Sequence, residues 1–395
     1  MMRPDAFAQL PEPDAAARAH GARVAAALRA AIAAAGGALP FDRFMELALY
    51  APGLGYYSAG SRRFGRDGDF VTAPELSSLF GGCLAAQAGE LLETLGGGDL
   101  LELGAGRGTL AADLLQALAA AGRLPDRYLI LELSGTLRAE QQATLARRVP
   151  RLADRVRWLD TLPEGGFRGL IFGNEVADAL PVSRFRLAAE RVEEAFVALA
   201  GDRFAWAWRP ASAALAARVA ALRAEVGPLA DGYTSELCLR LAPWIASLAE
   251  ALAVGALLLV DYGYPRREYY HPQRVDGTLQ CHYRQRAHAD PLRLVGLQDI
   301  TAHVDFTAIA EAGHGAGLTL AGYTTQAHFL LGCGLDTLLA ASDPDATAAH
   351  LARMGEARAL TLPGEMGERF QAIALTRGCD RPLRGFALRD LRARL

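Results

Sequence analysis

The stretch Leu100-Leu-Glu-Leu-Gly-Ala-Gly-Arg-Gly-Thr109 decides the fold, because an apolar run ends there in closely spaced glycines and a helix-forming segment follows. Glycines at a strand-to-helix turn let the backbone approach a ligand closely. The spacing is Gly-x-Gly-x-Gly, whereas a dinucleotide site has Gly-x-Gly-x-x-Gly and holds a pyrophosphate at the helix N-terminus. Thr109 occupies the place of the third dinucleotide glycine, so the turn predicts a different ligand.

An acid just before the turn narrows the choice of ligand. Glu102 would repel a pyrophosphate, but it can hold a cationic amino group. S-adenosyl-L-methionine has such a group and no phosphate. We therefore expect Glu102, Gly104, Ala105 and Gly106 to bind this cofactor, in a methyltransferase built on a Rossmann-like α/β core.

Acids also stand at the ends of the next two predicted strands. Glu132 ends the second strand, where a carboxylate suits the two hydroxyls of a ribose, and Leu133 is expected in the same pocket. Asp160 ends the third strand and is expected to reach the adenine edge through its side chain or the neighbouring backbone. The alternative is a glycine turn in an unrelated α/β enzyme.

Strand-like and helical runs alternate along the chain, which predicts an α/β fold around a mostly parallel sheet. The predicted strands cover residues 99–103, 128–132, 156–159, 170–174, 256–261, 318–324 and 371–376. The predicted helices between them cover residues 109–121, 137–148, 236–253 and 305–316. Period-two alternation over 183–208 predicts antiparallel hairpins, followed by a helix near 211–226. Residues 262–299, rich in Arg, His, Tyr and Pro, predict a long irregular segment.

These runs divide the chain into four predicted regions. A helical cap with a cofactor-covering loop takes residues 1–95, and its first helix should end at Gly36-Gly37. The first half of the core takes 96–182, and an insertion of hairpins and helices takes 183–254. The second half of the core takes 255–395, with a loop insertion at 262–304.

A second polar loop, Asn174-Glu-Val-Ala-Asp-Ala-Leu-Pro181, follows the fourth predicted strand. In an open α/β sheet that strand end lies beside the cofactor crevice. Methyl transfer requires an aligned nucleophile, and Asn174, Glu175 and Asp178 are candidate catalytic residues that can hold a cationic nitrogen and steer its lone pair. The alternative is that Asp178 caps a short helix and Glu175 is a solvated surface acid.

Composition excludes some classes of protein. The formal net charge of -3 argues weakly against nucleic acid as the main partner. The five cysteines are scattered and never form Cys-x-x-Cys, which indicates a reduced, cytoplasmic protein. Cys281, His282, His288 and His303 match no zinc motif, so no metal is expected. The longest apolar run, residues 254–260, is too short to cross a bilayer, so no membrane partner is expected.

Seven blocks of sequence, taken in order, resemble the MidA family of methyltransferase-like proteins. They lie at residues 50–57, 68–77, 101–108, 174–181, 260–263, 296–306 and 364–370. The resemblance implies a class I methyltransferase fold with a seven-stranded, mostly parallel sheet, and dimethylation of a protein arginine. It places the 68–77 loop, with Thr72, Pro74 and Glu75, over the cofactor, and turns residues 174–178 toward the arginine. The expected partner is a protein substrate, and a homodimer is compatible with the sequence.

Two rival functions stay open at this point. One is methylation of a small molecule or of RNA. The basic and aromatic run at residues 282–288 could contact RNA. The other is a binding or assembly protein that keeps the cofactor fold without turnover. An acidic, narrow site would favour a guanidinium substrate, and strong basic clustering would favour RNA.

Overall fold

The structure is a computed structural model, and it describes residues 10–59, 72–189, 191–341 and 346–395. Its strands, in chain order, are β1 (Ala38–Pro40), β2 (Asp99–Leu103), β3 (Tyr128–Leu131), β4 (Val156–Leu159), β5 (Phe167–Asn174), β6 (Ser183–Ala188), β7 (Arg191–Ala200), β8 (Arg203–Pro210), β9 (Thr234–Leu237), β10 (Leu252–Tyr264), β11 (Gln280–Tyr283), β12 (Arg286–His288), β13 (Asp299–Thr301), β14 (Val304–Asp305), β15 (Thr319–Thr325) and β16 (Phe370–Arg377).

The helices are α1 (Ala15–Ala34), α2 (Phe41–Tyr50), α3 (Ala73–Leu76), α4 (Ser78–Leu95), α5 (Thr109–Ala120), α6 (Gly135–Arg148), α7 (Ala213–Val226), α8 (Leu241–Ala251), α9 (Arg266–Tyr269), α10 (Phe306–Gly315), α11 (Gln326–Gly332), α12 (Leu335–Ala340), α13 (Thr347–Thr361) and α14 (Met366–Arg369). Short 3-10 turns lie at Ala153–Arg155, Arg384–Phe386 and Arg392–Arg394. Across the described ranges, no helix combines the length and the apolar character needed to cross a bilayer.

The chain divides into two compact units. Unit 1 consists of Met1–Phe70, Asp178–Leu241 and Arg266–His303, and unit 2 consists of Val71–Ala177, Ala242–Pro265 and Val304–Leu395. Helix α4, which the sequence grouped with the cap, falls in unit 2. Its buried leucines pack into the hydrophobic core of that unit, which explains the assignment.

Unit 2 contains the Rossmann-like sheet. Seven strands follow one another in the order β15-β16-β10-β5-β2-β3-β4, and the two-residue strand β14 pairs with β10 beside this path. The pairs from β10 to β4 are parallel, whereas β16 runs antiparallel to both β10 and β15. The predicted seven-stranded, mostly parallel sheet is confirmed.

Burial explains why the parallel strands of unit 2 are apolar in sequence. All five residues of β2 are buried, and β5 and β10 are buried over most of their length, because helices cover the sheet. The side chains of α4 and α5 pack with those of β2 and β5 in one hydrophobic core. The core holds the carboxyl ends of the parallel strands at a single edge, where the loops described below begin.

Unit 1 is built mainly on an antiparallel sheet of order β1-β7-β6-β9, with β8 paired to β7. Its core includes Phe41 and Phe44 of α2, and Trp206 of β8 packs against Phe41 with ring centroids 4.9 Å apart. The predicted hairpins at 183–208 are thus confirmed. The first helix ends as predicted, since Gly36 and Gly37 adopt positive φ values of 74° and 93°.

Two sequence predictions in this part of the chain are wrong. Residues 262–299 are not irregular throughout, because β12, β11 and β13 form a three-stranded antiparallel sheet. The helix predicted over 236–253 starts too early, because residues 236 and 237 end the strand β9 and the helix α8 begins only at Leu241. Glu236 begins no helix because its buried side chain accepts hydrogen bonds from Thr278, which ties β9 to a distant turn.

Candidate functional site

The glycine turn of unit 2 joins β2 to α5 through three left-handed residues. Gly104, Gly106 and Gly108 have φ values of 63°, 52° and 81°, which only glycine adopts without strain. A Cβ added at Gly104 would lie 3.4 Å from Cγ2 of Val176, whereas one added at Gly106 would meet no atom within 4 Å. The backbone at Gly106 therefore borders open space that a ligand can fill. Ala105, between them, is buried.

Glu102 lies at the end of β2 with only 3% of its surface exposed. Its Oε2 accepts a hydrogen bond of 2.6 Å from the hydroxyl of Tyr128. Burial raises the pKa of Glu102 to about 7, the nearby Glu132 carboxylate raises it as well, and the Tyr128 hydrogen bond partly opposes the shift. A neighbouring cation would favour the charged form. The chemistry of this acid fits the cationic amino group of S-adenosyl-L-methionine.

Glu132 and Leu133 follow β3 and differ sharply in exposure. Glu132 is buried, and its Oε1 accepts a hydrogen bond of 2.8 Å from the backbone N–H of Ser134. Burial raises the pKa of Glu132, and its hydrogen bonds with Ser134 and Gln141 counteract that shift. Leu133, by contrast, is 80% exposed. An exposed leucine next to a carboxylate in the chain can pack against the face of an adenine while the carboxylate binds the ribose.

Asp160 follows β4 and points into solvent. Its side chain is 83% exposed, and its Oδ1 accepts a hydrogen bond of 2.7 Å from Nη2 of Arg138. The same Arg138 nitrogen also donates to the carbonyl of Glu132, 3.0 Å away. Asp160 is thus tied to the end of β3 through an arginine, and its expected contact with the adenine edge stays a prediction.

The segment around α3 meets the glycine turn. Oγ1 of Thr109, the first residue of α5, donates a hydrogen bond of 2.6 Å to Oε1 of Glu75. Pro74 is buried in α3, and Thr72 is the residue that precedes this helix. Pro74, Glu75 and Thr109 also line a cavity of about 590 Å³ that extends toward α13. Residues 68–71 of the predicted covering loop lie outside the described residues.

The polar loop after β5 begins next to the glycine turn. Parallel pairing places Gly173 opposite Leu103 of β2, and Asn174 opposite Val260 of β10. Nδ2 of Asn174 donates a hydrogen bond of 3.0 Å to Oε1 of Glu175. Oδ1 of Asn174 is buried and has no hydrogen-bond partner among the described residues.

Glu175 has a φ of 54°, an uncommon conformation for a residue with a side chain. Such a conformation costs about 1–3 kcal/mol and persists only where the surroundings enforce it. Here the backbone N–H of Glu175 donates to the carbonyl of Val260, 2.9 Å away. Oδ2 of the buried Asp261 accepts from the N–H groups of Val176 and Ala177 at 3.1 and 2.9 Å. These bonds hold the loop against the end of β10.

Asp178 is the first residue of unit 1 and is buried there. Its carbonyl accepts a hydrogen bond of 3.1 Å from the N–H of Ala302. Its charge contributes to the raised pKa of Tyr57, for which burial is the main cause. Tyr57 in turn donates a hydrogen bond of 2.8 Å to Oδ1 of Asp299. Asp178 is therefore a buried acid near Tyr57, and no helix of the described residues begins at it.

Two residues near the site were not predicted from the sequence. Asp261 ends an apolar strand, and that pattern, already used for Glu102 and Glu132, could have revealed it. Gln141 lies in the middle of α6, and it donates to the carbonyl of Gly106 and to Glu132. A glutamine within a helix has no sequence signal that distinguishes it from a surface residue.

Comparisons with known proteins agree with this geometry. The sequence profile of the family described as "Putative S-adenosyl-L-methionine-dependent methyltransferase" matches residues 83–324. The protein arginine methyltransferase NDUFAF7, mitochondrial, of Mus musculus is 31% identical over 379 residues, with 86% of this chain and 81% of the relative covered. Its Homo sapiens counterpart is 28% identical, with 86% and 80% covered.

A crystal structure from Burkholderia thailandensis is similar over almost the whole chain. It is that of a superfamily member described as a methyl transferase and bound to S-adenosyl-homocysteine. The sequences are 48% identical, the TM-score is 0.94, and the match covers 98% of this chain and 100% of the other.

The expected cytoplasmic location is contradicted by these comparisons. The curated relatives from Mus musculus, Danio rerio and Homo sapiens are all named as mitochondrial proteins. The expectation rested on scattered, unpaired cysteines. Reduced thiols indicate a reducing compartment, but they do not distinguish one such compartment from another.

Proposed function

Since this chain belongs to the MidA family of S-adenosyl-L-methionine-dependent methyltransferases, we propose that it methylates an arginine side chain of a protein. Its reaction is methyl transfer, and its cofactor is S-adenosyl-L-methionine. The observation that carries the arginine assignment is the carboxylate of Glu175, held in a strained conformation on a loop that contacts the glycine turn. The names of the curated relatives support the same substrate class.

The residues around the glycine turn are assigned to the cofactor. Glu102 accepts hydrogen bonds from the ammonium group of the cofactor, Glu132 accepts hydrogen bonds from the ribose hydroxyls, and Leu133 covers the adenine. Gly106 lets the backbone approach within contact distance. When bound, the cofactor supplies an electron-poor methyl carbon, and the chain has to align and activate the acceptor.

An arginine side chain is a difficult acceptor, because its positive charge and lone pairs are delocalised over the guanidinium group. A carboxylate that accepts two of its N–H groups holds the plane and draws the charge away from the attacking nitrogen. Glu175 is assigned this part, and Oδ1 of Asn174 accepts a further N–H. The Glu175 carboxylate would also accept the proton that the attacking nitrogen releases when it is methylated.

Asp178 is proposed as a second acid for the guanidinium. It follows Glu175 by three residues in the chain, and its burial keeps a carboxylate in a place where water screens charge poorly. A neutral base of RNA or a small hydroxyl substrate would not require two acids. This difference in charge is what the experiment below tests.

The experiment labels the acceptor. The purified chain and tritiated S-adenosyl-L-methionine are added to an extract of cells that lack the corresponding gene, and the labelled protein is hydrolysed to amino acids. Label in methylarginine is expected, and label only in another residue, in RNA or in a small molecule would refute the arginine assignment.

Variants then test the assigned residues. Asn174→Ala, Glu175→Gln and Asp178→Asn should keep cofactor affinity, and at least one acid-to-amide change should slow single-turnover transfer by about a hundredfold. The exposed Glu164→Gln serves as the matched acid-to-amide control and should leave the rate unchanged. Full activity in both acid variants would mean that this loop does not supply the carboxylates. Lost cofactor affinity would instead place the loop in the cofactor pocket.

A further inference from the structure

Gln141 is a fully buried glutamine of α6 whose amide group makes three hydrogen bonds to separate parts of unit 2. Its Nε2 donates to the carbonyl of Gly106 at 2.9 Å and to Oε2 of Glu132 at 3.0 Å. Its Oε1 accepts from Nε1 of Trp158 on β4 at 2.8 Å. One side chain thus joins the turn after β2, the acid after β3 and the strand β4.

The chemistry of the partners fixes which way this amide points. An indole N–H can only donate, so the atom that faces Trp158 must be the Gln141 oxygen. The nitrogen then faces two acceptors, the Gly106 carbonyl and the Glu132 carboxylate, and uses both of its hydrogens. A flipped amide would set N–H against N–H and oxygen against oxygen at these three contacts. Because a flip would lose all three hydrogen bonds together, the amide of Gln141 has a single orientation.

Both acceptors belong to residues that are assigned to the cofactor in the proposed site. Gly106 has a φ of 52°, and the hydrogen bond to its carbonyl fixes the peptide plane of the turn. Glu132 has Oε1 held by the N–H of Ser134 and Oε2 held by Gln141, so its carboxylate has one position. A carboxylate has about four acceptor sites, which leaves two for ribose hydroxyls.

We infer that Gln141 is a positioning residue for the cofactor, which sets the glycine turn and the ribose acid in a single arrangement before the cofactor binds. None of the surface of Gln141 is accessible, so it acts through Gly106 and Glu132 and not by contact with the cofactor itself. Preorganised acceptors bind more tightly because less ordering remains for the binding step. The role concerns the cofactor alone, so it does not depend on the identity of the methyl acceptor.

The test measures the affinity for S-adenosylhomocysteine by calorimetry. Gln141→Met keeps the length of the side chain and removes all three hydrogen bonds, and about a tenfold loss of affinity is expected. Gln87→Met is the control, because Gln87 is also a buried helical glutamine of unit 2, and its Oε1 accepts a hydrogen bond from the backbone N–H of Gly385 and not from a residue of the glycine turn. The control should lower the melting temperature less, because it removes one hydrogen bond and not three, and it should leave the affinity unchanged.

A double-mutant cycle separates positioning from general destabilisation. If Gln141 acts through Glu132, the losses in Gln141→Met and Glu132→Ala should not multiply, and the double variant should bind at least about threefold more tightly than their product predicts. A milder variant, Trp158→Phe, removes only the donor that fixes the amide and should weaken binding by about two- to fivefold. It serves in place of Gln141→Met should that variant not fold. Unchanged affinity in the variants that fold, or losses that multiply fully, would overturn the inference.

Discussion

The open space over Gly106 leads to a prediction that can be worked out from the backbone. Gly106 and Gly122 both have left-handed φ values, 52° and 67°, and a Cβ at either would meet no atom within 4 Å. Gly106 precedes α5 and Gly122 follows it. Alanine at each position should therefore destabilise the fold about equally, by roughly 1–2 kcal/mol for the left-handed conformation.

Cofactor affinity should distinguish the two glycines. A ligand atom in contact with the Cα of Gly106, about 3.5–4.0 Å away, would lie only about 2–2.5 Å from a Cβ directed at it. The ligand would have to retreat by more than about 1 Å and lose its contact with the turn. Gly106→Ala is expected to weaken binding at least about tenfold, which is about 1.4 kcal/mol. Gly106→Val should abolish it, and Gly122→Ala should leave it unchanged.

Calorimetry with S-adenosylhomocysteine measures the affinity of each variant. Thermal unfolding measures the destabilisation that both alanine variants share, and the melting temperature should fall by about 2–4 °C per kcal/mol for a unit of this size. Equal melting temperatures with unequal affinities would support the reasoning. If both Gly106 variants bind as tightly as the unaltered chain, the space over Gly106 does not belong to the cofactor.

Three further predictions concern the other cofactor residues. Because the pKa of Glu102 is raised to about 7, the acid has to ionise before it holds an ammonium group, so affinity should fall about tenfold from pH 8 to pH 6, with proton release in calorimetry near pH 6. The stability of the ligand-free fold should change with pH in the opposite direction. Protonated Glu102 contributes fully to the free energy of unfolding below about pH 4.5, and this contribution is lost as the pH rises through about 7. Glu102→Gln should remove both dependences, and an affinity that does not vary with pH would place the ammonium group elsewhere. Glu132→Ala removes charged hydrogen bonds worth roughly 1.5–3 kcal/mol and should weaken cofactor binding tenfold to a hundredfold, whereas an unchanged dissociation constant would show that Glu132 is not at the ribose. Leu133→Ser should weaken binding about fivefold, from about 1 kcal/mol of lost apolar contact, without lowering the melting temperature, because the side chain is 80% exposed in the ligand-free chain.

The parts of the fold that local sequence determines were predictable. The strand Asp99–Leu103, the glycines after it and the start of α5 at Thr109 agree with the prediction residue by residue. A buried parallel strand is an apolar run, and a turn with positive φ requires glycine, so both leave a local signal.

Features that depend on distant parts of the chain were not predictable in the same way. The sheet formed by β11, β12 and β13 consists of strands of only three or four residues, and an alternation that short does not distinguish a strand from a loop. Asp261 ends an apolar run, as Glu102 and Glu132 do, but its partners, the backbone N–H groups of Val176 and Ala177, lie on a loop far away in sequence, so no local pattern predicts which groups it binds. The pairing of Asp160 with Arg138 likewise arises only once β3 and β4 lie side by side.

The order in which the chain is synthesised has a consequence for unit 1, which is assembled from three separate stretches. Its first strand pairs Ala38 with Ala198, so α1 and α2 leave the ribosome long before the sheet that covers their apolar faces. At bacterial to eukaryotic translation rates this interval is on the order of 10–30 s. During it the nascent chain presents Phe41 and Phe44 to water. Chaperones that hold exposed apolar helices would therefore meet this protein on the ribosome, before most of its cofactor-binding unit has been made.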